Sequence, residues 1–220
     1  NATLINGDYT AGVATAIPDQ VSSYITMNNG NWTDISTWAT YNPITNATGQ
    51  VGVNIPAGGP RGSIVFVNHN LNITDNFMSA YRTRINASGI VNIGNTINHR
   101  FGAVSGQGRL VLQNGSFPAG VYDDFFSPTG GTVEFAGSGD YDILSELPVV
   151  NNVVFSGSGS RRLSNLETIV FNGNMELSGP VLVNEFSKIN SIKGNIIFNS
   201  GSYVSKEGTI TMSGTGAQTI

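Results

Sequence analysis

Residues 131–143 have the sequence GTVEFAGSGDYDI, and residues 152–163 have the sequence NVVFSGSGSRRL. When Thr132 is aligned with Asn152, the two stretches share alternating apolar positions, a Gly-x-Gly pair and a terminal aliphatic residue. Self-similarity at a fixed period is typical of proteins built from stacked repeats. A period of about 20 residues corresponds to one coil of a β-solenoid, so the repeat predicts coils that lie on top of one another.

A third stretch follows the same pattern. Residues 208–220, GTITMSGTGAQTI, align with residues 131–143 when Gly208 is matched to Gly131, and they keep the glycines and the apolar alternation. Because side chains of a strand alternate between its two faces, Val133 and Phe135 are predicted to point inward, and Thr132 and Glu134 outward. One coil cannot bury its own apolar side, so the coils above and below must cover it.

Two groups of residues are predicted to carry this architecture. Glycines permit positive φ at the corners where the chain changes sheet, and the predicted corner residues are Gly137, Gly139, Gly157, Gly159, Gly214 and Gly216. Alternate apolar residues form the predicted inward stack, which consists of Val133, Phe135, Val153, Phe155, Phe171, Phe198, Ile210 and Met212.

The predicted fold is therefore all-β: a right-handed parallel β-helix (β-solenoid) of about nine coils. Residues 61–220 are expected to form the coils and to end within a repeat copy, and residues 1–60 to form an N-terminal entrance or capping segment. An antiparallel β-sandwich is the alternative, because Asn-Gly pairs such as Asn114-Gly115 are typical of hairpin turns.

The two tryptophans, Trp32 and Trp38, lie close together in the N-terminal segment. The simpler hypothesis makes them a hydrophobic plug that closes or braces the first coil. The alternative makes them a binding platform for sugars, because aromatic faces pack on apolar surfaces.

The composition narrows the classes of function. Only 11% of the 220 residues are charged, the formal net charge is −4, and cysteine is absent. Without clustered Lys and Arg a nucleic-acid partner is not expected, and apolar runs of about four residues are far too short to span a membrane. Polarity comes from Asn, Ser, Thr and Gly, which favours a secreted, extracellular location.

Chemistry-bearing residues are few. His69 and His99 lie outside any catalytic or zinc-binding pattern and are expected to be structural, His99 in a solvated turn. Asp123 and Asp124 are retained as a possible Ca²⁺ site, and no other cofactor is expected. Asp140 and Asp142 share one face, but the matching Ser160 and Arg162 break any acidic row. A non-enzymatic protein is therefore predicted.

Several further motifs resemble a known family. They are Gly30-Asn31-Trp32 to Thr37-Trp38, Val53-Asn54-Ile55-Pro56, Val67-Asn68-His69-Asn70-Leu71, Gly106-Gln107-Gly108-Arg109-Leu110, Phe117-Pro118-Ala119-Gly120 and the Gly-Thr-Val-Glu-Phe-x-Gly-x-Gly unit. Together they resemble repeat modules of the large cell-surface adhesins of Bacteroidota that are secreted by the type IX system, including those of gliding motility.

The resemblance implies a structural or adhesive segment at the cell surface. Its expected partners are glycans or solid surfaces and neighbouring modules of the same chain. A glycan-active β-helix enzyme (a polysaccharide lyase or hydrolase) and a carbohydrate-binding β-sandwich remain the alternatives.

Overall fold

Short runs of β-branched and aromatic residues, closed by Gly, Asn or Ser, form nearly all the regular structure. The computed structural model describes residues 21–143, 148–163, 168–185, 189–205 and 208–220. Within these ranges the chain forms 23 strands and one 3-10 turn, Ile35–Thr37. The all-β prediction is confirmed, and the chain winds as a β-solenoid of about six turns; the predicted nine are not confirmed.

Sheet 1 has eight parallel strands, which follow one another in chain order. They are β2 (Gly30–Asn31), β6 (Asn70–Asn72), β8 (Ile90–Asn92), β10 (Arg109–Leu112), β12 (Thr132–Phe135), β15 (Asn152–Ser156), β18 (Met175–Ser178) and β21 (Ile196–Phe198). Val133 pairs with Val153, and Phe135 with Phe155. The predicted stacking of the second repeat copy on the first is therefore confirmed.

Sheet 2 has seven strands and lies in the N-terminal half. Its members are β1 (Ser23–Thr26), β3 (Trp38–Asn42), β4 (Ala47–Thr48), β5 (Ile64–Val67), β7 (Arg82–Ile85), β9 (Arg100–Ser105) and β11 (Ala119–Val121). All pairs are parallel except those of β3 with β1 and with β4. Since β1 pairs in parallel with β5, residues 23–26 of the predicted entrance segment already belong to the ladder.

Two four-stranded parallel sheets take the place of sheet 2 in the C-terminal half. Sheet 3 contains β13 (Tyr141–Ile143), β16 (Gly159–Leu163), β19 (Val181–Glu185) and β22 (Ser202–Ser205). Sheet 4 contains β14 (Val149–Val150), β17 (Thr168–Phe171), β20 (Ile189–Ile192) and β23 (Thr209–Met212). Parallel pairing throughout these sheets excludes the antiparallel β-sandwich.

The third repeat copy, residues 208–220, does not occupy an equivalent place in a coil. Residues 132–135 form β12 in sheet 1, whereas residues 209–212 form β23 in sheet 4. β12 and β23 both alternate apolar and polar residues and are followed by a glycine-containing turn, so strands of different sheets can share one local pattern. Similarity between these two segments therefore reports a common strand-and-corner unit and not a common sheet.

A column of glycines forms one corner of the coil. Gly137, Gly157 and Gly159 have φ of +87°, +75° and +78°, as predicted. A Cβ at Gly157 would lie 2.1 Å from the Gly137 carbonyl oxygen of the preceding turn, so glycine is required there for space as well. Gly179 continues the column at φ +96° and was not predicted.

The other three predicted corner residues do not need positive φ. Gly139, Gly214 and Gly216 are absent from the positive-φ residues of the described chain. Gly214 is needed for space instead, because a Cβ there would lie 2.2 Å from the Lys193 carbonyl oxygen. The Gly-x-Gly pattern thus predicted the corner but not which of its glycines bears the unusual backbone.

The predicted inward stack is buried in the middle of the solenoid and open at its C-terminal end. Val133, Phe135, Val153, Phe155 and Phe171 are at most 3% exposed. Ile210 and Met212 are partly buried against this core. Phe198 pairs with the buried Leu177 but is 49% exposed, because β21 is the last strand of sheet 1. Phe198 therefore lies in register with the predicted inward column, but its ring is only half covered.

Candidate functional site

The tryptophans are core residues. Trp32 and Trp38 are at most 1% exposed, and their rings meet edge to face at 5.5 Å. Trp32 also stacks on Phe101 at 6.2 Å, and Trp38 Nε1 donates a hydrogen bond to the Trp32 carbonyl oxygen. A sugar platform needs an exposed aromatic face, so the predicted binding role of these residues is wrong. They brace the first turn.

Both histidines hold neighbouring segments together. His69 Nδ1 lies 2.9 Å from the Thr26 carbonyl oxygen, which can accept its hydrogen. His99 is 1% exposed, so its expected place in a solvated turn is wrong. The Met78 backbone N–H donates to His99 Nδ1, and His99 Nε2 lies 3.0 Å from Thr96 Oγ1. Burial lowers the pKa of His99 because it disfavours the charged ring.

The predicted calcium ligands do not form a cluster of acids. Asp123 and Asp124 are both exposed, on the segment between β11 and β12. The described residues contain no group of three or more His, Cys, Asp or Glu side chains able to hold a metal ion. Ca²⁺ prefers six or more oxygen ligands, and these two carboxylates would have to share such an ion with backbone oxygens or water.

Three carboxylates are of the kind that a glycosidase uses as acid and base. In this structure each of them connects successive turns. The Asp140 carboxylate accepts a hydrogen bond from the Ser160 backbone N–H at 2.7 Å. Asp142 forms an ion pair with Arg162. Glu134 lies 2.7 Å from Arg109 Nη1 and accepts a second hydrogen bond from Ser156 Oγ. Each contact joins residues about one coil apart, so the role observed for these acids is to join coils.

Arg161 is a buried cation that the sequence did not single out. It is fully buried, and its guanidinium donates to the carbonyl oxygens of Ala136, Gly137 and Gly139 at 2.7–2.9 Å. The guanidinium carbon also lies 4.3 Å from the centre of the Tyr141 ring. Charge-assisted hydrogen bonds and the aromatic face offset the loss of hydration. Arg161 therefore fastens one corner to the next.

The outer face of sheet 2 carries a polar concavity of about 450 Å³. We call it the arginine groove and define it by Tyr41, Phe66, Arg82, Arg84 and Asn86. Strand register builds it, because Phe66 pairs with Arg84 and both point away from the core. Thr83 and Ile85, which alternate with the two arginines, are buried. In the sequence, the groove is indicated by Arg-Thr-Arg-Ile of β7, where two arginines alternate with residues that are buried.

The arginine groove combines aromatic and cationic groups. Tyr41 packs edge to face on Phe66 at 4.7 Å, and the Tyr41 hydroxyl donates to Asn46 Oδ1. Arg84 Nε donates to Asn86 Oδ1 at 3.0 Å, which orients the guanidinium and leaves its outer N–H groups available. Within the described ranges neither Arg82 nor Arg84 forms an ion pair. These cations are available to an external anion.

The charge of the chain is divided unevenly, and the groove lies in the positive part. Residues 21–121 contain five arginines and only two acids, Asp34 and Asp75, although the whole chain has a net charge of −4. At physiological salt a bound anion is attracted mainly by cations within about 8 Å, here Arg82 and Arg84, and more distant charges are largely screened. Residues 21–121 therefore carry the net positive charge that suits an anionic ligand.

A second concavity, of about 750 Å³, lies beside the segment between β11 and β12. It is lined by aromatic residues, among them Phe117, Tyr122 and Phe126. The Tyr122 hydroxyl donates to the Pro118 carbonyl oxygen, and burial raises the pKa of Tyr122 strongly. Phe117 packs edge to face on Tyr122 at 4.9 Å, so this cluster works as the core of its own loop.

No family model, no curated protein and no solved structure matches the chain. Among the described residues, no helix has the length and apolar character needed to cross a membrane.

Proposed function

We propose that this chain is a non-enzymatic structural and adhesive segment of a secreted bacterial cell-surface adhesin. The observation that carries the proposal is the parallel ladder of sheet 1, whose eight strands share one continuous core. At about 4.8 Å between strands, the seven steps of this ladder span roughly 34 Å. Such a ladder is suited to hold a binding surface away from its point of attachment.

The contacts between turns support a mechanical role. The ion pairs Arg109–Glu134 and Arg162–Asp142 each join neighbouring strands of one sheet. Arg161 adds a buried connection between successive corners. Because these polar groups reinforce stacking, their chemistry fits a segment that bears load between modules of the same chain.

The resemblance of the repeat motifs to type IX-secreted adhesins of Bacteroidota supplies the proposed location and partners. A right-handed winding accompanies this proposal, because connections between parallel strands of one sheet are right-handed in about 98% of cases. Glycans or solid surfaces are the proposed targets, and the side faces of the solenoid are the proposed contact area.

The test uses cells that carry the whole gene. An antibody raised against residues 61–220 should label intact cells, and deletion of the segment should reduce attachment to glycan-coated surfaces. Cells that produce the Gly216→Ala variant serve as the matched control, because a Cβ at Gly216 meets nothing within 4 Å. Labelling only after lysis, or unchanged attachment after the deletion, would overturn the proposal.

A further inference from the structure

We infer that the arginine groove binds a uronic-acid polysaccharide, in which each carboxylate is attached to a sugar ring. The inference rests on the proposed function and names the class of glycan that the segment would hold. Three observations carry it: the available guanidinium groups, the aromatic pair beside them, and the net positive charge of residues 21–121.

The two arginines present a regular row of cations. Arg82 and Arg84 are alternate residues of β7, so their Cα atoms are about 6.6 Å apart and both side chains leave the same face. Both are exposed, and neither has an ion pair among the described residues. A chain with carboxylates at regular intervals can contact both at once, each guanidinium pairing with its own carboxylate.

The geometry of Arg84 favours a carboxylate. Its Nε–H is held by Asn86 Oδ1 at 3.0 Å, so the remaining donors are those of the two terminal nitrogens. These N–H groups lie in one plane and match the two coplanar oxygens of a carboxylate as a bidentate pair. A positioned guanidinium also loses less conformational entropy when it binds.

The aromatic pair adds recognition of the sugar. Phe66 and Tyr41 are partly exposed and line the groove beside the arginines. The C–H face of a pyranose is apolar and packs on an aromatic surface, whereas an extended acidic peptide offers no such face. Pairing of Phe66 with Arg84 in the sheet places ring and cation side by side. This combination fits a polysaccharide better than a simple polyanion.

The experiment measures binding of the purified chain to polygalacturonate by calorimetry at low and physiological salt. The matched ligand is the methyl ester of the same polymer, which keeps the sugar rings and removes the charge. Polyglutamate supplies carboxylates without sugars, and dextran sulfate supplies sugars with a different anion. We expect binding to polygalacturonate alone among the four, weakened as salt increases.

The double variant Arg82→Gln/Arg84→Gln tests the site. Because exposed ion pairs contribute modestly, its affinity should fall by about tenfold. The control is Arg61→Gln/Arg100→Gln, which removes the same charge from exposed residues that do not line the groove and should bind within about twofold of the parent chain. Circular dichroism checks that both variants are folded.

Equal affinities of the groove variant and the parent chain would overturn the inference, as would absence of binding to polygalacturonate. Polyglutamate or dextran sulfate bound as tightly as polygalacturonate would overturn the assignment to uronic acids. Attachment by cells in the preceding test, together with no polygalacturonate binding here, would refute this inference and leave the adhesive function standing. Release of unsaturated products that absorb in the ultraviolet would refute the non-enzymatic function and leave the groove standing.

Discussion

Two phenylalanines of sheet 1 lie at different heights in the same inward column of side chains. Replacing each of them with alanine tests whether each turn is stabilised by the next. Phe155 pairs with Phe135 on one side and with Leu177 on the other, and it is fully buried. Phe198 lies on the far side of Leu177 in the same column and is 49% exposed. Phe155→Ala and Phe198→Ala remove the same atoms, so they differ only in the coverage of the ring.

The structure sets the expected magnitudes. Phe155 lines an internal void of about 20 Å³, and the truncation would enlarge it. Because backbone ladders fix the distance between turns, the neighbours can collapse only slightly, so Phe155→Ala should cost about 3–5 kcal/mol. Complete burial of a Phe side chain contributes about 1.5–3 kcal/mol, so the half-covered Phe198 should cost about 1 kcal/mol.

Urea unfolding followed by circular dichroism measures both free energies, and hydrogen exchange of β15 and β18 locates the change. Stacked repeats can unfold in parts, so the exchange data show whether the loss reaches neighbouring turns. Equal losses in the two variants, or a loss below about 1 kcal/mol for Phe155→Ala, would refute the argument that coverage by adjacent turns stabilises the solenoid.

Three further predictions concern the corner, the buried cation and acid stability. Gly157→Ala should lower the free energy of unfolding by more than about 1 kcal/mol, because it combines positive φ with a close carbonyl oxygen, whereas Gly216→Ala should leave urea unfolding unchanged. Arg161→Met should reduce the melting temperature and expose the β15–β16 corner to hydrogen exchange, since carbonyl oxygens would lose their donor; an unchanged melt would contradict the fastening role. His99 has a lowered pKa in the folded chain, so the unfolded chain takes up its proton first and stability should fall as pH decreases below about 6.5. Urea unfolding across pH measures this loss of stability in the parent chain and in His99→Gln. If the parent chain shows no loss, or if the variant shows the same loss, His99 is not its cause.

The sequence alone predicted those structural features that depend on residues close together in the chain. Alternation of apolar residues indicated strands, and alignment of the first two repeat copies predicted the register of Val133 on Val153. Glycine at positions 137 and 157 indicated a corner, because few other residues adopt positive φ without strain. These features depend on a few neighbouring residues and on the spacing of one repeat, so they are visible in the chain without coordinates.

Features that depend on distant neighbours required the tertiary structure. The sheet to which residues 209–212 belong, and the exposure of Phe198, are set by the strands beside them. Arg161 is buried because carbonyl oxygens of the preceding coil surround it. The side-by-side placement of Phe66 and Arg84 likewise follows from the register of β5 on β7.

The sequence by itself therefore determined that this protein is a stack of short strands with glycine corners and an apolar interior. Only the tertiary structure decided which polar and aromatic side chains meet on its outer face. The physical reason is that strand alternation assigns each side chain to the inside or the outside, whereas contacts across turns depend on the pairing of residues far apart in the chain.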